Sequence, residues 1–293
     1  MNGYLFNVSG HHSRTLTHRL RGWIRATHPF PLAAVVSLTG LIGLASAEGS
    51  ISSQRFALML AAMLSSQLAI GWTNDYVDRE SDAIYQPSKP VPSGLVNANS
   101  LPPAIIVTTL VSFLAGTFLG LVPLVFLTTG TAAGLVYDLL LKDTRLSPLA
   151  FVLAFAVLPP FVWSSLDAYR PELLAVYLVG SPLALAAHIA NVLPDIETDA
   201  AARRFNLAVS LGRARSLRLL ELSLLLPPLL TVATLPFVVY DRRALAATLV
   251  TYGVLLAVAN LAYNRPGRDA DVWGFRSVVL ASVLFAAGWL AAI

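Results

Sequence analysis

Runs of about twenty predominantly apolar residues, each closed by a short polar interruption, repeat along the whole chain. Nine such runs occupy 28–47, 55–73, 101–121, 123–141, 148–166, 172–192, 217–238, 243–263 and 273–292. About twenty apolar residues in an α-helix span the ~30 Å hydrocarbon core of a bilayer. The ten-residue alternation of polarity that a membrane barrel requires does not occur. The predicted fold is therefore all-α: a polytopic integral membrane bundle of nine transmembrane helices. Pro29, Pro102, Pro123, Pro148 and Pro182 mostly fall at or near predicted helix starts, where the missing N–H costs little. Pro159-Pro160 and Pro227-Pro228 lie inside runs and are expected to kink them.

Composition agrees. Of 293 residues, 56% are hydrophobic and 12% are charged, against about 25% charged in a soluble domain. The mean hydropathy is +0.68. A soluble globular domain, a disordered chain and a coiled coil are excluded. The lack of cysteine excludes a disulfide scaffold, a zinc–thiolate site and thiol catalysis. The net charge of +4 does not imply a nucleic-acid partner, because Arg and Lys sit in short loops between apolar runs. The bilayer is the expected partner.

Those charges orient the chain. The N-terminus and the loops after even-numbered helices carry sixteen of the twenty Arg and Lys residues; only Arg55, Arg170, Arg242 and Arg243 fall on the other side. The positive-inside rule makes the richer side cytoplasmic. Residues 1–27 read as a basic N-terminal segment, with 4–25 an interfacial helix carrying Arg14, Arg19, Arg21 and Arg25, ahead of a single nine-helix domain, 28–293. Ala45-Ser46-Ala47 resembles a signal-peptide cleavage site, but the preceding run is long for a signal and eight more spans follow, so no cleavage is expected.

Two long polar loops, 74–100 and 191–216, fall on the cytoplasmic side. Each begins with Asn-x-x-x-Asp-x-x-x-Asp: Asn74, Asp78 and Asp82, then Asn191, Asp195 and Asp199. Residues four apart on a helix share a face, so each segment, if helical, aims one amide and two carboxylates in one direction. Asp75 and Glu197 add charge beside each face. Asn74 and Asn191 are 117 positions apart and follow the second and sixth helices. That spacing suggests an internal duplication into two related halves. Clustered carboxylates repel unless a cation lies between them. Oxygen-only ligands favour Mg²⁺ or Ca²⁺ over zinc, and Mg²⁺ usually shares its shell with substrate phosphate oxygens. Facing clusters suit metal ions held around a diphosphate.

Asn74-Asp75-x-x-Asp78-x-x-x-Asp82, followed by Ser88-Lys89-Pro90-Val91-Pro92-Ser93-Gly94, resembles the first signature of the UbiA-type intramembrane prenyltransferases. Asp195-x-x-x-Asp199 resembles their second, and Tyr137 to Lys142 their region after the fourth helix. The resemblance implies a helical bundle around a cavity open at the cytoplasmic face. It implies Mg²⁺-dependent transfer of a prenyl group from an isoprenyl diphosphate to an aromatic, quinone-precursor-like acceptor or another lipophilic one, a lipid glycerol included, by ionisation and attack on the allylic cation. It assigns Asn74, Asp75, Asp78 and Asp82 to the first diphosphate–Mg²⁺ motif and Asp195 and Asp199 to the second, with Asn191 beside them. Asp75, Asp78, Asp82, Asp195 and Asp199 are the metal ligands it implies. It also implies that Lys142 and Lys89 contact diphosphate, and Tyr137 matches the tyrosine before Lys142. Lys89 stands where the family's Arg-Pro-x-Pro-x-Gly segment has arginine, which loses the bidentate fork. His28-Pro29 stands where many members have Arg-Pro, and Arg25, one turn earlier, is a replacement cation.

His188, seven residues before Asp195, is either a cavity-lining proton acceptor or a histidine hydrogen-bonded between packed helices. Ser66 and Gln67 read as helix–helix glue. Phe151, Phe155, Phe161 and Trp163 read as core or lipid-facing residues, with a prenyl tunnel as the other use. Arg79 and Arg203-Arg204 fit topology and phosphate contact equally. A secondary transporter also combines repeats with intramembrane charge, but it needs acids near mid-span, whereas these cluster at helix ends on one side. A membrane scaffold has no use for the duplicated Asn/Asp spacing.

Overall fold

The computed structural model describes residues 16–293. Among them nine helical segments are long and apolar enough to cross a membrane, and no strand occurs. The helices are α1 (Leu16–Ala26), α2 (Pro29–Ser46), α3 (Ser53–Tyr85), α4 (Leu101–Leu119), α5 (Leu121–Val136), α6 (Ser147–Ala156), α7 (Leu158–Leu166), α8 (Val176–Val192), α9 (Ile196–Ala201), α10 (Leu207–Leu211), α11 (Arg213–Thr234), α12 (Arg242–Tyr263) and α13 (Arg268–Ala291). Helices α6 and α7 together form one span, 147–166, and the short α9 and α10 lie between α8 and α11.

Side chains close the helix ends. Asp241 accepts from the N–H groups of Arg243 and Ala244 (2.9 and 2.8 Å) at the start of α12. Asn206 accepts from Val209 N (2.9 Å) at the start of α10. Gly120 alone separates α4 from α5, with φ +122°, a backbone conformation that strains any side chain. On α4 the exposed side chains Ile106, Leu110, Phe113, Leu114 and Phe118 form an apolar stripe suited to lipid. The core is dense and aromatic, with Trp163, Trp289, Phe161 and Phe285 buried. Lipid is as apolar as the core, so small residues decide how closely helices approach. Gly134 brings α5 against Ile70 of α3: a Cβ there would lie 2.5 Å from Ile70 Cδ1.

Two expectations change. The second span does not end at residue 73. Helix α3 runs on to Tyr85, because no glycine or proline follows residue 73 until Pro87, and the first acidic motif is its last three turns rather than a loop. Pro182 lies inside α8, in its second turn, rather than at its start. In line with the expected kink, α6 gives way to α7 at Val157 beside Pro159-Pro160, and α11 is helical through Pro227-Pro228. There Thr231 Oγ1 donates to the carbonyl of Pro227 (2.8 Å).

Helix α1 docks on the acid-bearing end of α3. Trp23 and Trp72 meet edge to face at 5.2 Å, and Ala26 is buried with Val96 and Leu101. Residues 4–15 of the predicted interfacial segment, including Arg14, lie outside the described residues.

Candidate active site

The face that the four-residue spacing predicts on α3 is present, and each of its polar groups meets a different element. Asn74 Nδ2 donates to Asp138 Oδ1 (3.0 Å) beyond α5. Asp78 Oδ1 lies 2.6 Å from Lys142 Nζ and accepts from Arg204 Nη2 at 3.1 Å. Asp82 accepts from Lys89 Nζ with both oxygens (3.0 and 2.9 Å). Asp75, one step round the helix, pairs through Oδ1 with His28 Nε2 at 2.9 Å. Asp75, Asp78 and Asp82 are all buried.

The second copy is not one straight face. Helix α8 ends at Val192, and Pro194 falls in a 3₁₀ turn over Leu193–Asp195 before α9, so the segment is not one continuous α-helix, although Asn191 and Asp195 still line one pocket. Asp195 Oδ1 accepts from Arg268 Nε and Nη2 (3.1 and 2.9 Å) and from Gln86 Nε2 (3.5 Å). Asp199 Oδ2 accepts from Asn206 Nδ2 (2.8 Å), while its other oxygen lies 3.6 Å from Arg204 Nη1. Arg204 therefore touches Asp78 of the first segment and Asp199 of the second. Burial disfavours its charge, but Asp78, Asp143 and Asp199 outweigh that and hold its guanidinium above the ordinary arginine range. The two segments, 117 residues apart in sequence, meet in one ion-pair network.

Lys142 owes its position to a π-turn. Beyond α5 the chain winds more widely over Tyr137–Leu141, and Lys142 N bonds back to Tyr137 O (2.8 Å), five residues earlier. Such turns recur at functional sites. The turn puts Tyr137 and Asp138 in the wall of a central cavity and carries Lys142, 10% exposed, to Asp78. The cavity holds about 340 Å³ and is mostly apolar. Phe126, Phe151, Phe155 and Phe161 line it, and His28, Asn74, Tyr137, Asp138 and Asn191 form its polar end.

Of the predicted site residues, Asn74, Tyr137 and Asn191 line this cavity. Asp78, Asp199 and Lys142 join Arg204 in the ion-pair network one helical turn beyond, Asp82 and Lys89 form a separate pair, and Asp75 is buried on the same helix as Asp78 and Asp82. Asp195 lines a second, more polar pocket that adjoins the first. His28, not Arg25, reaches Asp75; it sits at φ +49° before α2, while Arg25 donates to Ser88 O (3.0 Å). Arg79 turns back on its own helix, donating to Tyr76 O (2.7 Å), and stays out of the network that Arg204 joins. His188 is fully buried, bonded to Ser147 Oγ at 3.1 Å between α8 and α6, and does not line the cavity. Phe151, Phe155 and Phe161 do line it, whereas Trp163 is packed against Ser46. Asp138 was missed: an ionisable residue inside the fourth apolar run was the signal. Arg268 counted only towards topology, and nothing local links it to Asp195.

The donor set suits a hard divalent cation. Oδ2 of Asp75 and Oδ2 of Asp138 are buried with no hydrogen-bond partner. Among the described residues, no three His, Cys, Asp or Glu side chains converge into a ready ligand cage. A cation here would complete its shell with water and phosphate oxygens, the habit of Mg²⁺.

A family model described as the UbiA prenyltransferase family matches residues 34–291. The chain belongs to that family. This UbiA-family protein is 26% identical over 236 residues to a digeranylgeranylglyceryl phosphate synthase of Methanothrix thermoacetophila, covering 79% of this chain and 82% of the relative. It is 29% identical over 210 residues to one of the same name from Thermococcus gammatolerans, covering 67% and 71%. A UbiA homologue of Archaeoglobus fulgidus, solved with GPP and Mg²⁺, shares the fold at 16% identity. Its TM-score is 0.73, over 91% of this chain and 99% of that one.

Proposed function

We propose that this protein transfers a prenyl group from an isoprenyl diphosphate to a lipophilic acceptor within the membrane. The observation that carries the reading is the junction at Arg204, where both acidic segments and Lys142 converge at the polar end of an apolar cavity. The cavity suits the isoprenyl tail, with its phenylalanine walls beside the allylic carbon. In the reaction the bond from C1 to the diphosphate oxygen breaks and its electron pair leaves with the diphosphate. The acceptor's nucleophilic atom bonds to C1, and the acceptor's proton passes to the diphosphate or to water. Bound Mg²⁺ supplies charge neutralisation to the leaving diphosphate. Asp75, Asp78, Asp82, Asp195 and Asp199 are the groups to hold it. Lys142, Lys89 and Arg204 are fixed cations placed where leaving-group charge develops, and Asn74 and Asn191 orient the diphosphate at the cavity mouth.

The expected aromatic, quinone-precursor-like acceptor finds no support among the named relatives, whose product is a glyceryl phosphate lipid. We therefore take the lipid arm of the expectation, a prenylated glyceryl phosphate. The excess of Arg and Lys on the acid-bearing side supports a cytoplasmic mouth, and α1 supports an interfacial role for the N-terminal segment by docking at that level. The test is turnover of the detergent-purified protein with isoprenyl diphosphates and a panel of acceptors, read by mass spectrometry. Activity should vanish on chelation and return with Mg²⁺. Full activity in excess chelator overturns the reading.

A further inference from the structure

Gly71, Gly130, Gly134 and Gly180 line the central cavity. The first three are packed. A Cβ on Gly71 would meet His28 Cδ2 at 3.4 Å, one on Gly130 would meet Val157 Cγ2 at 3.1 Å, and one on Gly134 would meet Ile70 Cδ1 at 2.5 Å. Each lets a neighbouring element approach. Gly180, on α8, is different: a Cβ there would meet nothing within 4 Å. Its missing side chain leaves open cavity in place of a contact.

The helices that run along the cavity give the depth of that space. Asn191 marks the polar end on α8, and Gly180 lies eleven residues before it, about 16 Å along the helix. Val176, where α8 begins, is fifteen residues from Asn191, about 22 Å. On α3, Met63 is eleven residues from Asn74, again about 16 Å. At this far end Ile42, Met63, Leu127, Leu158, Phe161 and Val176 line the cavity and all are buried. Tyr177 ties α8 to the end of α6, its hydroxyl donating to Ala156 O (2.9 Å). The far end is a packed apolar floor.

An isoprenyl unit adds four carbons to a chain, and with C–C bonds of about 1.5 Å in a zigzag it advances about 5 Å. Three units from the polar end reach the level of Gly180. A fourth passes it and ends at the floor, and a fifth has no room. Lipid is as apolar as this cavity, so moving a tail out of the bilayer contributes little, and length is selected by fit. We propose that Gly180 admits the fourth isoprenyl unit of the donor and, with the floor behind it, makes a four-unit tail the longest this protein accepts, an inference that rests on the prenyl-transfer reading above. Close-packed interiors tolerate little excess volume, so a side chain at 180 and a fourth unit exclude each other.

The experiment is turnover with Mg²⁺, the acceptor panel above and isoprenyl diphosphates of two, three, four and seven units. It gives kcat/KM for the donor in wild type, Gly180→Ala and Gly180→Leu, with the thermal midpoint as control. Wild type should use the four-unit donor about tenfold or more better than the seven-unit one, and one methylene too many in an apolar pocket already costs about that much. Gly180→Leu should lower kcat/KM for the four-unit donor about tenfold or more, with Gly180→Ala between. The two-unit donor, whose tail ends about 10 Å from the polar end and short of residue 180, should stay within about twofold in both variants. Equal wild-type use of four and seven units, or a Gly180→Leu loss that is absent or the same for every length, overturns the proposal, and the wild-type comparison needs no variant to fold. Absence of product with every donor overturns the prenyl-transfer reading and this proposal with it, whereas turnover indifferent to length overturns this proposal alone.

Discussion

Replacing Lys142 by Met keeps most of the side chain's volume and removes its charge. Lys142 Nζ lies 2.6 Å from Asp78 Oδ1, with side chains only 10% and 9% exposed. At that separation two unit charges attract by about 6 kcal/mol at an effective dielectric near 20, and by about 1.6 kcal/mol in bulk water. A diphosphate oxygen brought to the same ammonium falls between these limits, after desolvation takes its share. Loss of one preorganised donor to developing negative charge typically costs about 2.7–4 kcal/mol, which sits inside that range. Lys142→Met should therefore lower kcat by about 10²–10³-fold. Folding should suffer less, because Arg204 still donates to Asp78 at 3.1 Å and no carboxylate is left unpaired. The assay is single-turnover transfer at saturating donor, with the detergent-phase thermal midpoint as control. A variant within about threefold of wild type, under ~0.7 kcal/mol, refutes a role for Lys142 in the leaving-group step. A collapsed midpoint would show the charge to be structural instead.

Asp78→Ala and Asp195→Ala should each remove most activity, and the double variant should be little worse than either, because groups that act as a unit are non-additive; multiplying losses in the kinetic cycle would separate the two segments. Gly134→Ala should destabilise by about 1–3 kcal/mol through overpacking against Ile70. Shortening that neighbour in Gly134→Ala/Ile70→Val should recover part of the loss, read as thermal midpoint; no recovery would place the strain elsewhere.

The nine spans were legible because hydrocarbon thickness sets a length that composition alone reveals. The acidic repeat was legible for a related reason: charge at helix ends is costly enough to need a purpose. The pairing of those charges was not. Which cation meets which acid depends on packing between elements far apart in sequence, as with Asp195 and Arg268 or Asp75 and His28. Asp138 was hidden in a different way. A single acid in an apolar run gives a weak pattern, and only the approach of Asn74 gives it a place. The break at Pro194 was written in the sequence, but its effect on Asp195 and Asp199 needed the backbone path.

The π-turn over Tyr137–Leu141 makes the site sensitive to chain length as well as to chemistry. An α-helix turns about 100° per residue, so the wider turn amounts to one extra residue accommodated without disturbing α5. Leu140, 68% exposed, faces outward. Deleting it would let the turn close as an ordinary α-turn, with Lys142 four residues after Tyr137 and so still on the same face. A further residue inserted beside Leu140 has no second wide turn to absorb it and would swing Lys142 round the axis by about 100°, away from Asp78, with every functional side chain still present. Activity should be lost in that insertion and retained in the deletion and in Leu140→Ala, a contrast that would locate the requirement in azimuth rather than in any residue's identity.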